Sequence, residues 1–357
     1  MKQEQSRMPL IAVINTGSTS TKIAVFNGKE LFFEDKITHS ENELNRLKNF
    51  EEQVNYRLNI ILNHLKKHEI DAESFDMIMA RGGLIKPVAS GVYKVNKQML
   101  HDLEYATKQH ASNLAAAIGM RLGNGNIPVY IADPVVVDEM QDIARYSGHR
   151  LFTRKSIFHA LNHKAVARKF ADKKQKDYNR LNLIIAHMGG GISVGAHQKG
   201  KVIDVNQALD GEGPFSPERS GTLPAGDLIR MAFSGNYTQD EMLKMITGKG
   251  GLVSYLGTNN LEEIEKNLNP ENQKILDALA YQVSKSIGEM ATVLKGQVDA
   301  IILTGGLAYS SLITDSIKER VVFIAPVHIF PGEDEMRALA QNALLLWQNK
   351  LKLKTYK

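Results

Sequence analysis

The chain has 357 residues, 43% of them hydrophobic and 23% charged, which is typical of a globular protein and excludes a disordered one. The formal net charge is small, +5, and the basic and acidic residues are interspersed along the chain. This pattern favours anionic small molecules over nucleic acid as partners. The absence of cysteine excludes disulfides, cysteine-ligated zinc and thiol catalysis. The length favours two domains. The polar leader at residues 1–9 and the lack of a membrane-length apolar stretch predict a cytoplasmic protein without a membrane contact.

The first distinctive stretch is a polar turn between two apolar runs. Residues 11–14 predict a buried strand, and residues 23–26 predict a second one that closes with the hairpin signal Asn27-Gly28. Such a turn can direct backbone N–H groups, hydroxyls and an ammonium at one phosphate. An ordinary hairpin rich in turn residues explains the stretch equally well on its own. The polar side chains concerned include Asn15, Ser18, Ser20 and Lys22.

A second copy of this pattern occurs 172 residues further along the chain (187 − 15). At that offset His187 aligns with Asn15, and Gly189 and Gly200 align with two glycines of the first copy. The apolar run before each turn also aligns. The repeat predicts two halves of related fold, each of which presents one turn to a ligand.

Capping signals and charged residues after strands mark the rest of the first half. Ser40 and Glu43 form a predicted capping box for a helix that extends to about residue 67. Arg81 follows an apolar strand and precedes two glycines, which predicts a position at the sheet edge where α/β folds bind ligands. Asp133 follows another apolar strand and is a candidate metal ligand or base. A role as N-cap or turn residue has comparable support.

The second half carries a histidine pair and an arginine in a loop. His159 and His163 lie one turn apart on a helix predicted at about residues 156–172, but no third ligand accompanies them, so a zinc site is not indicated. Residues 210–221 are rich in glycine and proline and carry Arg219. Such a segment is either a surface excursion or an active-site loop.

Two strands are predicted near the carboxyl terminus. The strand at residues 299–303 ends in Thr304-Gly305-Gly306, where the glycines would let a ligand approach the backbone. A last strand is predicted at residues 321–329, followed by a helix that opens with carboxylates at residues 333–335. Complementarity to the helix dipole is the preferred explanation for those carboxylates.

Several motifs together resemble the acetate and butyrate kinase family, within the sugar kinase, Hsp70 and actin superfamily, and the butyrate kinase branch most closely. The resemblance covers nearly the whole chain. The motifs are N-T-G-S-T-S-T-K (15–22), R-G-G (81–83), D-P-V-V-V-D-E (133–139), F-H-A-L-N-H (158–163), H-M-G-G-G (187–191), D-G-E-G-P-F-S-P-E-R-S-G (210–221), L-T-G-G (303–306) and F-P-G-E-D-E (330–335).

The resemblance implies roles for the matching residues. It assigns catalysis to Asn15, Asp133, His159, Arg219 and Glu335, with Mg²⁺ at Asp133 and Glu335. It assigns substrate binding to Arg81, Gly82 and Gly83. It assigns ATP or ADP binding to Ser18, Ser20, Lys22, His187, Gly189, Gly190, Gly191, Gly305, Gly306 and Leu307. Acetate kinases differ from this chain in having an arginine where it has Ile78, so Arg81 would supply that charge from a shifted position.

The implied architecture is α/β, with two similar ribonuclease-H-like domains around a central nucleotide cleft. The two domains are copies of one β-sheet unit with flanking helices. The predicted domains are residues 1–153 plus 336–357, with the C-terminal helix packed back, and residues 154–335. The implied enzyme transfers the γ-phosphoryl group of ATP to butyrate or a similar short acid, reversibly, and forms at least a homodimer. Alternatives are an acetate or propionate kinase, a kinase acting on an alcohol, and a non-catalytic nucleotide-binding protein.

Overall fold

The computed structural model describes residues 7–107 and 110–357, so the predicted leader lies outside it except for residues 7–9. The strands in this part are β1 (Leu10–Thr16), β2 (Ser20–Asn27), β3 (Glu30–Thr38), β4 (Met77–Arg81), β5 (Val92–Lys94), β6 (Val129–Ala132), β7 (Asn182–Met188), β8 (Ile192–Gln198), β9 (Lys201–Val205), β10 (Ala300–Gly305), β11 (Val327–Pro331) and β12 (Leu353–Lys354). The helices are α1 (Glu41–Leu44), α2 (Phe50–Lys67), α3 (Lys97–Glu104), α4 (Leu114–Leu122), α5 (Ala160–Lys173), α6 (Ala225–Ala232), α7 (Gln239–Thr247), α8 (Gly251–Leu256), α9 (Leu261–Lys266), α10 (Pro270–Val293), α11 (Ser311–Val321) and α12 (Glu335–Trp347). Within the same described part, no helix is both long and apolar enough to cross a membrane.

The chain forms two compact units. The first comprises the described residues up to Val137 together with Asp334–Lys357, and the second is Asp138–Glu333. Residues 138–153 join the second unit because they are tied to β9, for example by the Gln141 N–H that donates to Ile203 O at 3.0 Å. The domain limits predicted from the sequence, after residues 153 and 335, stay a prediction.

The first unit is built on a seven-stranded sheet in the order β12-β5-β6-β4-β1-β2-β3. Helices α2 and α4 pack with one another on this sheet, and α12 packs against β1 and β4. Strand β1 is an almost uninterrupted apolar run whose residues 11–14 are fully buried. Such a run is expected for a strand covered on both faces.

The second unit is built on a five-stranded sheet in the order β11-β10-β7-β8-β9. Helix α10 packs against β7 and β8, and α5 packs against β7 and β10. The buried face of α5 meets apolar residues of the two central strands, including Phe170 against Leu183 and Ile302 in one hydrophobic cluster. This sheet therefore also lies between two helical layers.

The predicted repeat is confirmed by strand order and pairing. The order β6-β4-β1-β2-β3 in the first unit corresponds to β11-β10-β7-β8-β9 in the second. Asn15 lies opposite Lys22 in the antiparallel pair of β1 and β2, and His187 lies opposite Ser193 in that of β7 and β8. Both hairpins that follow have a glycine with positive φ at the same offset, Gly28 at 60° and Gly200 at 84°.

Two predicted elements differ from the structure. The helix predicted at residues 40–67 is interrupted, because the Asn49 side chain accepts a hydrogen bond from Glu52 N and starts α2 anew. The predicted Ser40–Glu43 capping box is present before α1. The strand predicted at residues 321–329 begins only at Val327, because Val321 completes the buried face of α11.

Candidate active site

The first group of predicted site residues lines a cavity of about 260 Å³ in the first unit. The cavity lies at the carboxyl ends of β1 and β4 and beside the start of α12, where ligands of α/β sheets bind. Its lining residues are Asn15, Thr16, Gly17, Ser20, Lys22, Arg81, His110, Ser112 and Glu335. Five predicted site residues thus meet here, although they come from four separate elements of the chain.

A carboxylate and two cations define the electrostatics of this cavity. The Asn15 amide donates to one oxygen of Glu335 at 2.6 Å, and Arg81 forms an ion pair with the other oxygen. The Lys22 ammonium makes no hydrogen bond or ion pair with any residue of the described chain, and Lys22 lines the same cavity. The cavity therefore has a cation available for an anionic ligand.

A buried arginine supports the β1–β2 loop from behind. Arg57 donates to Ser20 O at 2.9 Å, to the Thr21 hydroxyl at 2.8 Å and to Ser18 O at 3.3 Å. No carboxylate in residues 7–107 and 110–357 pairs with it, and burial lowers the pKa of Arg57. Hydrogen bonds to a charged group contribute about 1.5–3 kcal/mol each, so these three contacts offset a desolvation cost of several kcal/mol.

Gly82 and Gly83, which follow Arg81, and Asp133 are closely packed against other residues of the protein. A side chain at Gly82 would meet Pro134, and one at Gly83 would meet Asn113. Asp133 is buried and accepts hydrogen bonds from Ser90 Oγ at 2.6 Å and from Gly91 N at 2.8 Å. These three residues are not among those that line the cavity, and their predicted ligand roles stay predictions.

The second group of predicted residues surrounds the β7–β8 turn in the second unit. His159 is the residue directly before α5, and its ring stacks on that of His187 with centroids 3.9 Å apart. Asn162 Oδ1 lies 3.0 Å from His187 Nδ1, which must donate because an amide oxygen only accepts. Glu333 lies 3.4 Å from the other nitrogen of His187. The α5 terminus thus holds both histidine rings at the end of the central strand.

Arg219 reaches the same turn from the glycine-rich loop. Its Nη1 donates to Ala208 O at 2.5 Å, and its guanidinium lies so close to Gly191 that a side chain there would collide with it. Within the described chain, Arg219 Nε is buried without a hydrogen-bond partner. Burial lowers the pKa of Arg219. A buried N–H donor left unpaired is costly, and an anionic ligand would satisfy it.

The two glycines at the end of β10, Gly305 and Gly306, differ in the space around them. Gly305 has a φ of 89° and lies against the Met188 backbone, so a side chain there would collide. Gly306 faces open space, and a Cβ at this position would have no atom of the described chain within 4 Å. Leu307 is buried in the apolar core. Gly306 is therefore the residue at which a ligand can approach the backbone.

The donor set for a metal ion is sparse. Among the described residues, no group of three or more His, Asp or Glu side chains could hold a metal ion. Mg²⁺ commonly needs only one or two protein carboxylates, since phosphate oxygens and water complete its octahedron. Glu335, which lines the cavity, fits that requirement, whereas the Asp133 carboxylate already accepts two hydrogen bonds from neighbouring residues.

Similarity to known proteins identifies the family. The sequence profile described as the acetokinase family matches residues 142–325. A relative named butyrate kinase 2, from Clostridium acetobutylicum, is 52% identical over 352 residues, which are 97% of this chain and 99% of the relative. A probable butyrate kinase from Clostridium botulinum is 48% identical over 97% of this chain and 99% of its own length. The chain belongs to the acetokinase family.

Solved structures show the fold of this family member. The crystal structure of Porphyromonas gingivalis acetate kinase superposes with a TM-score of 0.77 at 17% identity, covering 95% of this chain and 100% of that one. The two-domain ribonuclease-H-like fold expected from the sequence is therefore confirmed.

Several residues at the two groups were not anticipated from the sequence. Arg57 had one available signal, because it falls within the apolar spacing of α2 between Val54 and Ile61. Asn162 lies in the motif at residues 158–163 but had no predicted role. Ser193 carried no signal, since polar residues next to turns are common. Their significance comes from the partners that the fold provides.

Proposed function

We propose that the protein is a carboxylate kinase that transfers the γ-phosphoryl group of ATP to butyrate or a similar short or branched acid. The products are the acyl phosphate and ADP, and the reaction is reversible toward ATP synthesis. The supporting observation is the 52% identity over 97% of the chain to a relative named butyrate kinase 2. Cationic residues in each unit agree with a reaction between two anions.

The residue types suit this chemistry. A carboxylic acid with a pKa near 4 is already an anionic nucleophile at neutral pH, so no general base is required. The demand is to bind two anions and to neutralise the transferring group, which calls for cations. In this proposal Lys22 binds phosphate, Arg81 attracts the acid's carboxylate, and His159 and Arg219 stabilise the transferring phosphoryl group.

The remaining predicted residues serve the nucleotide and the metal. The glycines of the β7–β8 turn and Gly306 would admit phosphate and adenosine close to the backbone. Glu335, with Asn15 orienting it, would hold Mg²⁺ together with phosphate oxygens, and Asp133 would act from farther away. Bound Mg²⁺ would neutralise charge on the phosphates.

The test is a kinase assay with straight-chain acids of two to six carbons, ATP and hydroxylamine, which traps acyl phosphates as hydroxamates. We expect the highest kcat/KM with a four-carbon acid, and activity with its neighbours, because one methylene contributes about 1–3 kcal/mol. Preference for acetate or propionate would favour the acetate kinase alternative. An acid-stable phosphorylated product would indicate an alcohol acceptor. No product with any acid would contradict the proposal.

We also propose a cytoplasmic homo-oligomer, at least a dimer. Support comes from α6, a helix without buried residues that ends beside exposed Phe233, and from exposed Ile229 on the same helix. Light scattering of the purified protein tests the oligomer, and a monomer mass at micromolar concentration would contradict it. Cell fractionation tests the compartment.

A further inference from the structure

A continuous row of hydrogen bonds leads from His159 into the interior of the second unit. His159 Nδ1 lies 2.9 Å from Ser193 Oγ, which lies 2.9 Å from His163 Nε2. His163 Nδ1 lies 3.1 Å from His197 Nε2, and His197 Nδ1 lies 2.7 Å from the Tyr178 hydroxyl. The four residues behind His159 are named here the buried relay: Ser193, His163, His197 and Tyr178.

The periodicity of two elements aligns the buried relay. Ser193 and His197 are four residues apart on β8, so their side chains lie on the same face of the sheet. His159 precedes α5, and His163 lies one turn further on, so both rings reach the same serine. Ser193, His163 and His197 are fully buried. The row therefore has no access to bulk water at its centre.

Burial keeps the two central imidazoles neutral. It lowers the pKa of His163 and of His197 well below the ordinary value, and the nearby Lys164 ammonium acts in the same direction. A neutral imidazole has one N–H donor and one acceptor nitrogen. Among the described residues the Ser193 hydroxyl contacts only His163 Nε2 and His159 Nδ1, so its single proton is donated to one of them and it accepts from the other. All hydrogen bonds of the row then run in one direction, either toward His159 or away from it.

The two directions have opposite consequences for His159. If the Tyr178 hydroxyl donates, each member donates to the next, and Ser193 finally donates to His159 Nδ1. The single proton of neutral His159 is then on Nε2, where it can be donated to a phosphate oxygen. In the reverse direction Nδ1 carries that proton, and Nε2 presents a lone pair that would repel the phosphate.

We propose that the buried relay holds His159 in the tautomer with its proton on Nε2, ready to donate to the transferring phosphoryl group. The relay members are positioning residues, since they act through His159. This inference rests on the proposed function only for the identity of the acceptor. The tautomer itself is a property of the free protein. In metal sites, residues that fix the tautomer of a ligand histidine typically contribute about 10–100-fold to metal affinity or activity.

The test uses Tyr178→Phe, which removes the hydroxyl at the far end of the row, and Ser193→Ala, which removes the hydroxyl next to His159. The matched controls are Tyr281→Phe, at an exposed tyrosine, and Ser284→Ala, whose buried hydroxyl donates within α10. Nitrogen-15 NMR of labelled full-length protein, with and without an inert ATP analogue, reports which nitrogen of His159 carries the proton.

We expect Nε2 to be protonated in the wild type and both controls, and a mixture of tautomers in both test variants. In the acyl phosphate assay kcat should fall about tenfold, with KM values changing less than about twofold. Protonated Nδ1 in the wild type, or an unchanged tautomer and kcat in both variants, would overturn the inference. A wild type with Nε2 protonated but no acyl phosphate product would leave the relay supported and reject the proposed function instead.

Discussion

The β1–β2 loop and the β7–β8 loop occupy the same place in two related sheets but are supported by opposite chemistry. Asn15 and His187 correspond in the repeat, and each contacts the residue at the start of a helix packed on its sheet, Glu335 and His159 respectively. Behind the first loop is the buried cation Arg57. Behind the second is the neutral buried relay. The two loops therefore have corresponding positions in the repeat, but the residues that support them differ in charge.

The divergence extends to the residues facing the loop ends. Lys22 lies opposite Asn15, whereas Ser193 lies opposite His187. Arg81 follows Ala80, which pairs with Ile14, and the corresponding position in the second sheet is Thr304. The first loop is thus surrounded by several cations, while the second relies on Arg219 and on hydrogen-bond direction. Substitutions in each group should therefore have different kinetic signatures.

The largest effect is expected from Arg219→Ala. The fold should remain intact and kcat should fall at least about a hundredfold, because the guanidinium is proposed to interact most strongly with the transition state. Steady-state kinetics and circular dichroism measure the two outcomes. Arg230→Ala, at an exposed arginine of α6, is the matched control. A folded Arg219→Ala enzyme with near wild-type turnover would remove Arg219 from the site.

Arg57→Met tests whether the buried cation organises the first loop. We expect KM for ATP to rise about tenfold, because the loop loses three hydrogen bonds. The free energy of unfolding should change by less than about 2 kcal/mol, since removal of a buried charge offsets their loss. Arg121→Met alters an arginine of the same unit that contacts Glu51 and serves as control. Unchanged KM for ATP would show that the loop holds its shape without Arg57.

Arg81→Ala should act mainly on the acid. We expect KM for butyrate to rise about tenfold, which corresponds to about 1.4 kcal/mol of lost binding, with a smaller change in KM for ATP. The matched control is Thr304→Ala at the corresponding strand position, which should leave KM for butyrate unchanged. Equal KM values for wild type and Arg81→Ala would assign Arg81 a structural role through its ion pair with Glu335.

The smallest effect concerns His39, which lies 2.8 Å from the Thr21 hydroxyl beside Arg57. Burial, reinforced by the Arg57 charge, lowers the pKa of His39 to about 4. The unfolded chain therefore binds a proton at His39 more tightly than the folded chain does. The free energy of unfolding is fully retained above a pH of about 6.5 and decreases as the pH falls toward about 4.

Urea unfolding at about pH 7 and about pH 5 measures this loss. The wild type should lose about 1–2 kcal/mol more than His39→Gln between those pH values. His101→Gln, at an exposed histidine, is the control and should behave as the wild type does. The same pH dependence in the wild type and His39→Gln would mean that His39 is not the responsible group.

The sequence alone determined the parts of this protein that depend on neighbours along the chain. The two strand–turn–strand units, the glycines at their hairpins and the Ser40–Glu43 cap follow from apolar periodicity, turn chemistry and helix capping, which act over a few residues. The same local patterns marked the polar turns of both loops, whereas the roles of their residues were predicted from the family resemblance.

Only the tertiary structure decided which partners those residues have. Asn15 and Glu335 are 320 positions apart, and Arg57 reaches a carbonyl 37 positions away. The strand predicted to begin at Val321 was wrong there, because packing of α11 outweighed the β-branched run. In the sequence, the spacing of His159 and His163 resembled that of two metal ligands. In the structure, His163 instead forms hydrogen bonds with Ser193 and His197. The hydrogen-bond partner of each such residue is decided by the packing of segments that are far apart in the sequence. A local sequence pattern extends over only a few residues and therefore cannot predict it.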